Sequence, residues 1–360
     1  MHTCIRRCAP MPARLPNRCL LWVWRLCCAL LACVIIGMTV VTFDVGLGRA
    51  LLPVRRPFSE PNVHECGFVN IVSYNVQSFP SWAQSAIYAP NDDRIEHIAG
   101  TDVLRAPHVD VVVLQEAFST PTATRLTRDL SAMGFKHITK PGRRSLLLSG
   151  GVLVATRTDV VREASQAFRR CCGTDCLSFK GFTFVETRID GRSVGIVGTH
   201  LQSDDPLCAS WSTTTYEQAR RIRQDQIRQI RQFVDRDENA HLDVVILAGD
   251  MNVNRRQAAS TERGSNPDEW AEMVHVLEAA PMVLETDGAL TDHSVDPDTN
   301  AYLRRLGGHA HEHLDYVLSL RVNGRSGPPR ATSLRVRTAR HPTTNRDLSD
   351  HHPVHGRVPL

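Results

Sequence analysis

Six short segments of this sequence set amide, carboxylate or imidazole side chains beside apolar runs. They are Ser73-Tyr74-Asn75-Val76-Gln77, Leu114-Gln115-Glu116, Gly198-Thr199-His200-Leu201-Gln202, Gly249-Asp250-Met251-Asn252, His313-Leu314-Asp315-Tyr316 and Ser349-Asp350-His351-His352-Pro353. Carboxylate and amide oxygens suit a hard divalent cation, and imidazole is the side chain that exchanges a proton near neutral pH. One Glu or His at a strand end is ordinarily a solvated edge residue. Six such tips, restricted to Asn, Gln, Glu, Asp and His, predict instead that strand ends on one side of a rigid scaffold converge on one cavity.

The elements that must carry these tips are legible from periodicity. Phe68–Tyr74 alternates as a strand, and Asp110–Leu114 is a continuous apolar strand buried on both faces. Asp110 opens that strand at the end away from Glu116, where a solvated start is expected. Further strands are predicted at Gly151–Thr156, Phe182–Arg188, Ser193–Thr199, Asp243–Ala248, Asp315–Leu320 and Pro353–Val358. Helices are predicted at Asp92–Leu104, from Thr120-Pro121 to Gly134, and over Asp268–Leu277. Thr214 with Glu217 forms a capping box ahead of a helix to about Val234. Its arginines (Arg220, Arg221, Arg223, Arg228 and Arg231), interspersed with Glu217 and Asp225, read as a solvated face. Strands outnumber helices and often follow one another directly. That order predicts a mixed α/β sandwich, two sheets with helices outside, and no second domain boundary within the body.

With 360 residues and 42% hydrophobic content, the chain is neither disordered nor collagenous. Its formal charge of +4 is uneven: residues 1–60 carry eight Arg against Asp44 and Glu60, leaving −2 for the rest. Leu26–Phe43 is uncharged, and Arg6, Arg7, Arg14, Arg18 and Arg25 precede it. This pattern predicts a basic cytoplasmic segment (1–25), a transmembrane signal-anchor (26–43), a linker (44–65) and an exported domain (66–360). The rival is a cleaved signal peptide and a secreted product, with Gly46-Leu47-Gly48 as a poor cleavage site. The exported body keeps Cys66, Cys171, Cys172, Cys176 and Cys208, an odd number, so at least one stays free or pairs between chains if the others pair. No C-x-x-C occurs among them, which argues against a zinc knuckle.

From about Asn70 to Val358 the order of GTHL-Q, GDMN and SDHHPV resembles the endonuclease/exonuclease/phosphatase superfamily. The resemblance implies a DNase I-like, four-layer α/β/β/α sandwich of α+β type that cleaves phosphate esters. It implies Glu116 as the anchor of a Mg²⁺ ion (Mn²⁺ or Co²⁺ as substitutes), with the Asn75 oxygen beside it and Asp350 within reach. His351 corresponds to the general base and Asp315 to the carboxylate orienting its ring. His200 and Asn252 would donate to phosphoryl oxygens, and Asp250 would position water or pass a proton to the leaving group. His309, His311 and His313 read as a solvated loop, while His352 and His355 flank the site.

Within the superfamily, CLSFKGF (176–182) and THLQSDDPLC (199–208) are similar to the neutral and bacterial sphingomyelinase branch. That similarity implies a Cys176–Cys208 disulfide, and a Lys180 that binds substrate phosphate or a neighbouring acid. It implies a phospholipase C-type enzyme that hydrolyses sphingomyelin to ceramide and phosphocholine, with membrane phospholipid and its own N-terminal helix as membrane contacts. The alternative is an extracytoplasmic DNase I-like endonuclease or exonuclease acting on nucleic acid. A nearly neutral body suits a zwitterionic headgroup better than polyanionic DNA. A catalytically dead binding module would have lost Glu116, Asp250 or His351, and all three are present. The exposed aromatic pair that several secreted bacterial members carry on a hairpin has no counterpart here, Trp211 and Trp270 being isolated.

Overall fold

Alternation along the first two strands sorts the interior into two cores. In β1 (Phe68–Ser78), Val69 and Ile71 enter one core while Val72, Tyr74 and Val76 enter the other. In β2 (Val111–Ala117), Val111 and Val113 divide from Val112 and Leu114 in the same way. A strand buried on both faces must lie in an inner layer. The computed structural model describes residues 63–80, 92–142, 148–208, 215–255, 267–285, 291–323 and 329–360. The 26–43 apolar run, nearly all of the 44–65 linker, and Thr214 lie outside the described residues. Among those described, no helix is long and apolar enough to cross a membrane.

The remaining elements are α1 (Asp92–Ile98), α2 (Asp102–Arg105), α3 (Thr120–Ala132), β3 (His137–Ile138), β4 (Leu153–Thr156), β5 (Val160–Ala167), β6 (Gly181–Ile189) and β7 (Arg192–His200). Then come α4 (Thr215–Val234), β8 (Val244–Asp250), α5 (Pro267–Leu277), β9 (Met282–Leu284), α6 (Ala301–Arg305), β10 (Asp315–Leu320), β11 (Thr332–Val336) and β12 (Val354–Pro359). One sheet has the order β3-β4-β2-β1-β12-β11-β9 and the other β10-β8-β7-β6-β5. Helices α1 and α3 bury Ile95, Ile98, Leu126 and Leu130 against the first sheet. Helices α4 and α5 bury Ile227, Ile230, Phe233, Met273 and Leu277 against the second, where Phe233 meets Phe182 and Phe184 at 5.0 and 5.1 Å. The result is the expected α/β/β/α sandwich. The two sheets approach closely at Gly198, where a Cβ would lie 2.7 Å from Val154 and 2.9 Å from Val113.

Several expectations are corrected by the packing. Residues 92–104 form two short helices rather than one, parted by a turn at Gly100. Strand β5 is a sheet edge whose mixed polar sequence hides it from a search for apolar runs. The arginine-rich α4 is not simply a solvated face. Arg223 is completely buried, with two nitrogens on Glu269 at 2.7 and 3.0 Å and a third on Asp204 at 2.7 Å. Arg231 is buried too, bonded to the carbonyls of Leu277 and Arg321. Asp110 is buried rather than solvated, accepting from the Asn70 amide and sharing a 2.9 Å bond with His64 Nδ1. His313 is likewise buried, 2.7 Å from the Asp292 carbonyl. Cys176 and Cys208 do not pair with each other: the disulfides are Cys171–Cys176 and Cys172–Cys208, and Cys66 is free and exposed. Adjacent cysteines at 171 and 172 point to opposite sides of extended backbone, so each takes a different partner.

Candidate active site

Three adjacent strands of the second sheet, β7, β8 and the edge strand β10, bring one terminus each to the same level. In the register of the ladder, His200 of β7 lies beside Asp250 of β8, and Asp250 lies opposite Asp315 of β10. The first sheet supplies Asn75 from β1 and Glu116 from β2, whose parallel pairing becomes irregular between Asn75 and Ser78. At these exits Gln77, Glu116 and Asn252 adopt positive φ (44°, 62° and 49°). Non-glycine residues in that region cost roughly 1–3 kcal/mol each, and the surrounding bonds must hold them there.

Those bonds form one network. Asn75 Nδ2 donates to Glu116 Oε1 and Asp250 Oδ2, both at 3.0 Å, while its Oδ1 accepts from the Gln77 backbone amide. Gln77 Nε2 donates to Asp350 Oδ2 at 2.9 Å. His351 Nδ1 lies 2.7 Å from Asp315 Oδ2, and its Nε2 is 3.9 Å from Asp250 Oδ2. Lys180 is buried and gives its three N–H bonds to Asp175 Oδ1 (2.8 Å), His200 Nε2 (3.0 Å) and the Leu201 carbonyl (3.1 Å). An ammonium can only donate. His200 Nε2 must therefore accept, which leaves the proton on Nδ1, a buried atom with no hydrogen-bond partner. Asn252 Nδ2 donates to the Leu201 carbonyl at 3.2 Å.

The electrostatics follow from burying so many charges together. Burial and then the charge of Asp350 push the Glu116 carboxyl up to about 7. Burial and Asp315 push Asp250 up to about 6. Burial, reinforced by Lys180 and His351, holds His200 well below its ordinary value, so its imidazole is neutral. For His351 burial pulls downward, but Asp315, Asp250 and Asp350 together outweigh it and hold the imidazole well above its ordinary value.

A cleft of about 610 Å³ gathers Glu116, Lys180, His200, Asp250, Asn252, Asp350 and His351. Asn75 and Asp315 sit just behind that lining, each bonded to a group that faces it. The nine residues expected from sequence are thus brought to one place. Asp250, Asp315 and His351 also cluster closely enough to hold a cation, but the short Asp315–His351 bond occupies that pair. The carboxylates that fit a hard cation are Glu116 and Asp350, which share the cleft, and Glu116 Oε2 is buried with no partner. The Asn75 oxygen, expected beside them, is turned to the Gln77 amide while its Nδ2 faces Glu116. His309, His352 and His355 do not line the cleft, and His311 pairs with Asp298 at 2.9 Å.

Two residues were missed. Gln77 ties β1 to Asp350, and its nearness to Asn75 was an available signal. Arg94 is buried and donates to the carbonyls of Val76, Gln77 and Leu348, joining the Asn75 and Asp350 segments. Nothing in its helical sequence context marks that role.

The profile of the Endonuclease/Exonuclease/phosphatase family matches residues 72–351. A sphingomyelinase C from Bacillus cereus is 24% identical over 350 residues, covering 89% of this chain and 97% of the relative. One from Listeria ivanovii is 28% identical over 319 residues, covering 81% and 86%. The crystal structure of sphingomyelinase C from Streptomyces griseocarneus, 27% identical, superposes with a TM-score of 0.62 over 81% of this chain and 99% of that one. A beta toxin mutant from Staphylococcus aureus with bound magnesium ions, 22% identical, shares the fold with a TM-score of 0.63 over 80% of this chain and 98% of that one.

Proposed function

The chain belongs to the Endonuclease/Exonuclease/phosphatase family, and on that premise we propose that it is a metal-dependent phosphodiesterase of the phospholipase C type that hydrolyses sphingomyelin to ceramide and phosphocholine. The observation that carries the reading is the 2.7 Å Asp315–His351 pair opening onto the same cleft as the unpartnered Glu116 oxygen. The sphingomyelinase C relatives, matched over most of their length, support the lipid substrate.

Glu116 and Asp350 would hold Mg²⁺, the ion named for the beta toxin neighbour, which when bound neutralises phosphate charge and draws electron density from phosphorus. In its deprotonated form His351 Nε2 takes the proton of the attacking water, and Asp315 at Nδ1 fixes the ring and stabilises the imidazolium that results. Asn252 Nδ2 is a donor for phosphoryl oxygens, and His200 lines the cleft beside it. Asp250, 3.9 Å from His351 and 3.5 Å from His200, carries a proton to the departing ceramide oxygen, a task suited to a carboxyl held near 6. Lys180 acts on the site through His200, its hydrogens all being engaged.

Two disulfides within the domain accord with export to an oxidising compartment. Turnover of sphingomyelin vesicles and of plasmid DNA, each with Mg²⁺ and with EDTA, tests the proposal. Mg²⁺-dependent release of phosphocholine is expected; DNA nicking without lipid turnover would overturn it.

A further inference from the structure

Among the described residues, six large apolar side chains are exposed, and three of them, Leu177 (49%), Phe179 (38%) and Leu207 (71%), lie in or beside two short turns at the cleft. The turns are Gly173–Leu177 and Pro206–Cys208. They are fastened together by the Cys172–Cys208 disulfide, by Thr174 N donating to Asp205 Oδ2 (2.6 Å), and by Ser203 N donating to Asp175 Oδ2 (2.8 Å). The Cys171–Cys176 disulfide closes the first turn on itself. The loops are thus rigid, and their leucines are held outward.

The apolar surface also continues inward. Leu177 lines the cleft together with Leu148, Phe118, Phe79 and Pro80. The Phe79 and Phe118 rings are 5.6 Å apart, and Phe118 lies 6.4 Å from the His200 ring. An apolar path therefore runs from the cross-linked rim to the reacting groups. Leucines held half or more exposed on cross-linked backbone, as Leu177 and Leu207 are, mark an interaction surface. A small soluble substrate needs no apolar surface outside the cleft. A bilayer does: side chains entering the headgroup–acyl boundary bring the mouth of the cleft to the depth of a phosphodiester.

We propose that the two cross-linked turns dock the enzyme on a lipid bilayer, with Leu207 and Leu177 entering the interface. This rests on the reading of the substrate as a membrane phospholipid, and the experiment separates the two. In the full-length protein, Leu207→Trp is compared with wild type on phosphatidylcholine–sphingomyelin vesicles containing brominated phosphatidylcholine. Leu207→Trp is expected to add lipid-quenched fluorescence that wild type lacks, whereas Val283→Trp, at an exposed residue outside the cleft, adds none. Quenching of Leu207→Trp without any lipid hydrolysis would keep the docking surface and reject the substrate. An unquenched Leu207→Trp would overturn the docking surface whatever the activity. Leu207→Asp is expected to slow hydrolysis of vesicle sphingomyelin about 10-fold, from the transfer energy of one leucine, and to spare a water-soluble short-chain analogue. Equal loss on both substrates also overturns the proposal.

Discussion

His351 presents its Nδ1 to Asp315 at 2.7 Å while its Nε2 looks toward Asp250 at 3.9 Å, so one ring nitrogen is committed and the other faces the reaction. Replacing His351 with Ala is predicted to lower kcat by about 10²–10⁴-fold with the circular dichroism spectrum unchanged. Asp315→Asn should lower it less and shift the pH–rate profile to lower pH, because the imidazolium loses its stabilising charge. Steady-state kinetics between pH 5 and 9 measure both.

The cation must compete with a proton for Glu116, whose carboxyl sits near 7. Half-saturating Mg²⁺ should therefore rise as pH falls below 7, approaching about 10-fold per unit, and level off above it. Titration of activity against Mg²⁺ at several pH values reads this slope.

Raising a carboxyl from its usual 4.5 to about 7 costs stability once it ionises. The folded state then binds more protons than the unfolded one between those values, so the metal-free protein loses stability as pH rises through them. Glu116→Gln removes the charge. In EDTA at pH 8 the variant should be more stable than wild type, by on the order of 1–3 kcal/mol, with little difference near pH 4. Urea unfolding at both pH values tests the sign, and the variant should lose its Mg²⁺ dependence.

Among the described residues, Arg223 is the one cation that bridges Glu269 and Asp204. Arg223→Met leaves Glu269 buried and uncompensated, and should cost about 3–5 kcal/mol in denaturant unfolding. Pairing it with Glu269→Gln should recover part of the loss.

Cys172–Cys208 closes a loop with a sequence separation of 36. Replacing both by Ser should cost about 2–4 kcal/mol. It should also reduce kcat, since Asp175, which accepts from Lys180, accepts from Ser203 across the same junction.

The candidate-site tips were legible because each borders an apolar run whose burial is dictated by its own composition, as with Glu116 after Val111–Leu114 and Asp315 ahead of Tyr316–Leu320. The disulfide pairing was not, because five cysteines admit many pairings and spacing alone did not separate Cys171 from Cys172. Arg223 and Arg231 looked like their neighbours on α4. Their burial depends on α5 and on the carbonyls of Leu277 and Arg321, groups that local periodicity does not report. Asp110 was misread for the same reason, its partners His64 and Asn70 arriving from elsewhere in the chain.

Because His200, Asp250 and Asp315 stand on one rung of the second sheet, their mutual spacing is inherited from the interstrand repeat and owes nothing to the connecting segments. Those segments can lengthen, shorten or change composition across descendants of this gene without retuning the chemistry. A one-residue deletion inside Val244–Asp250 has no such latitude: it would turn Asp250 to the opposite face and separate it from both neighbours at once.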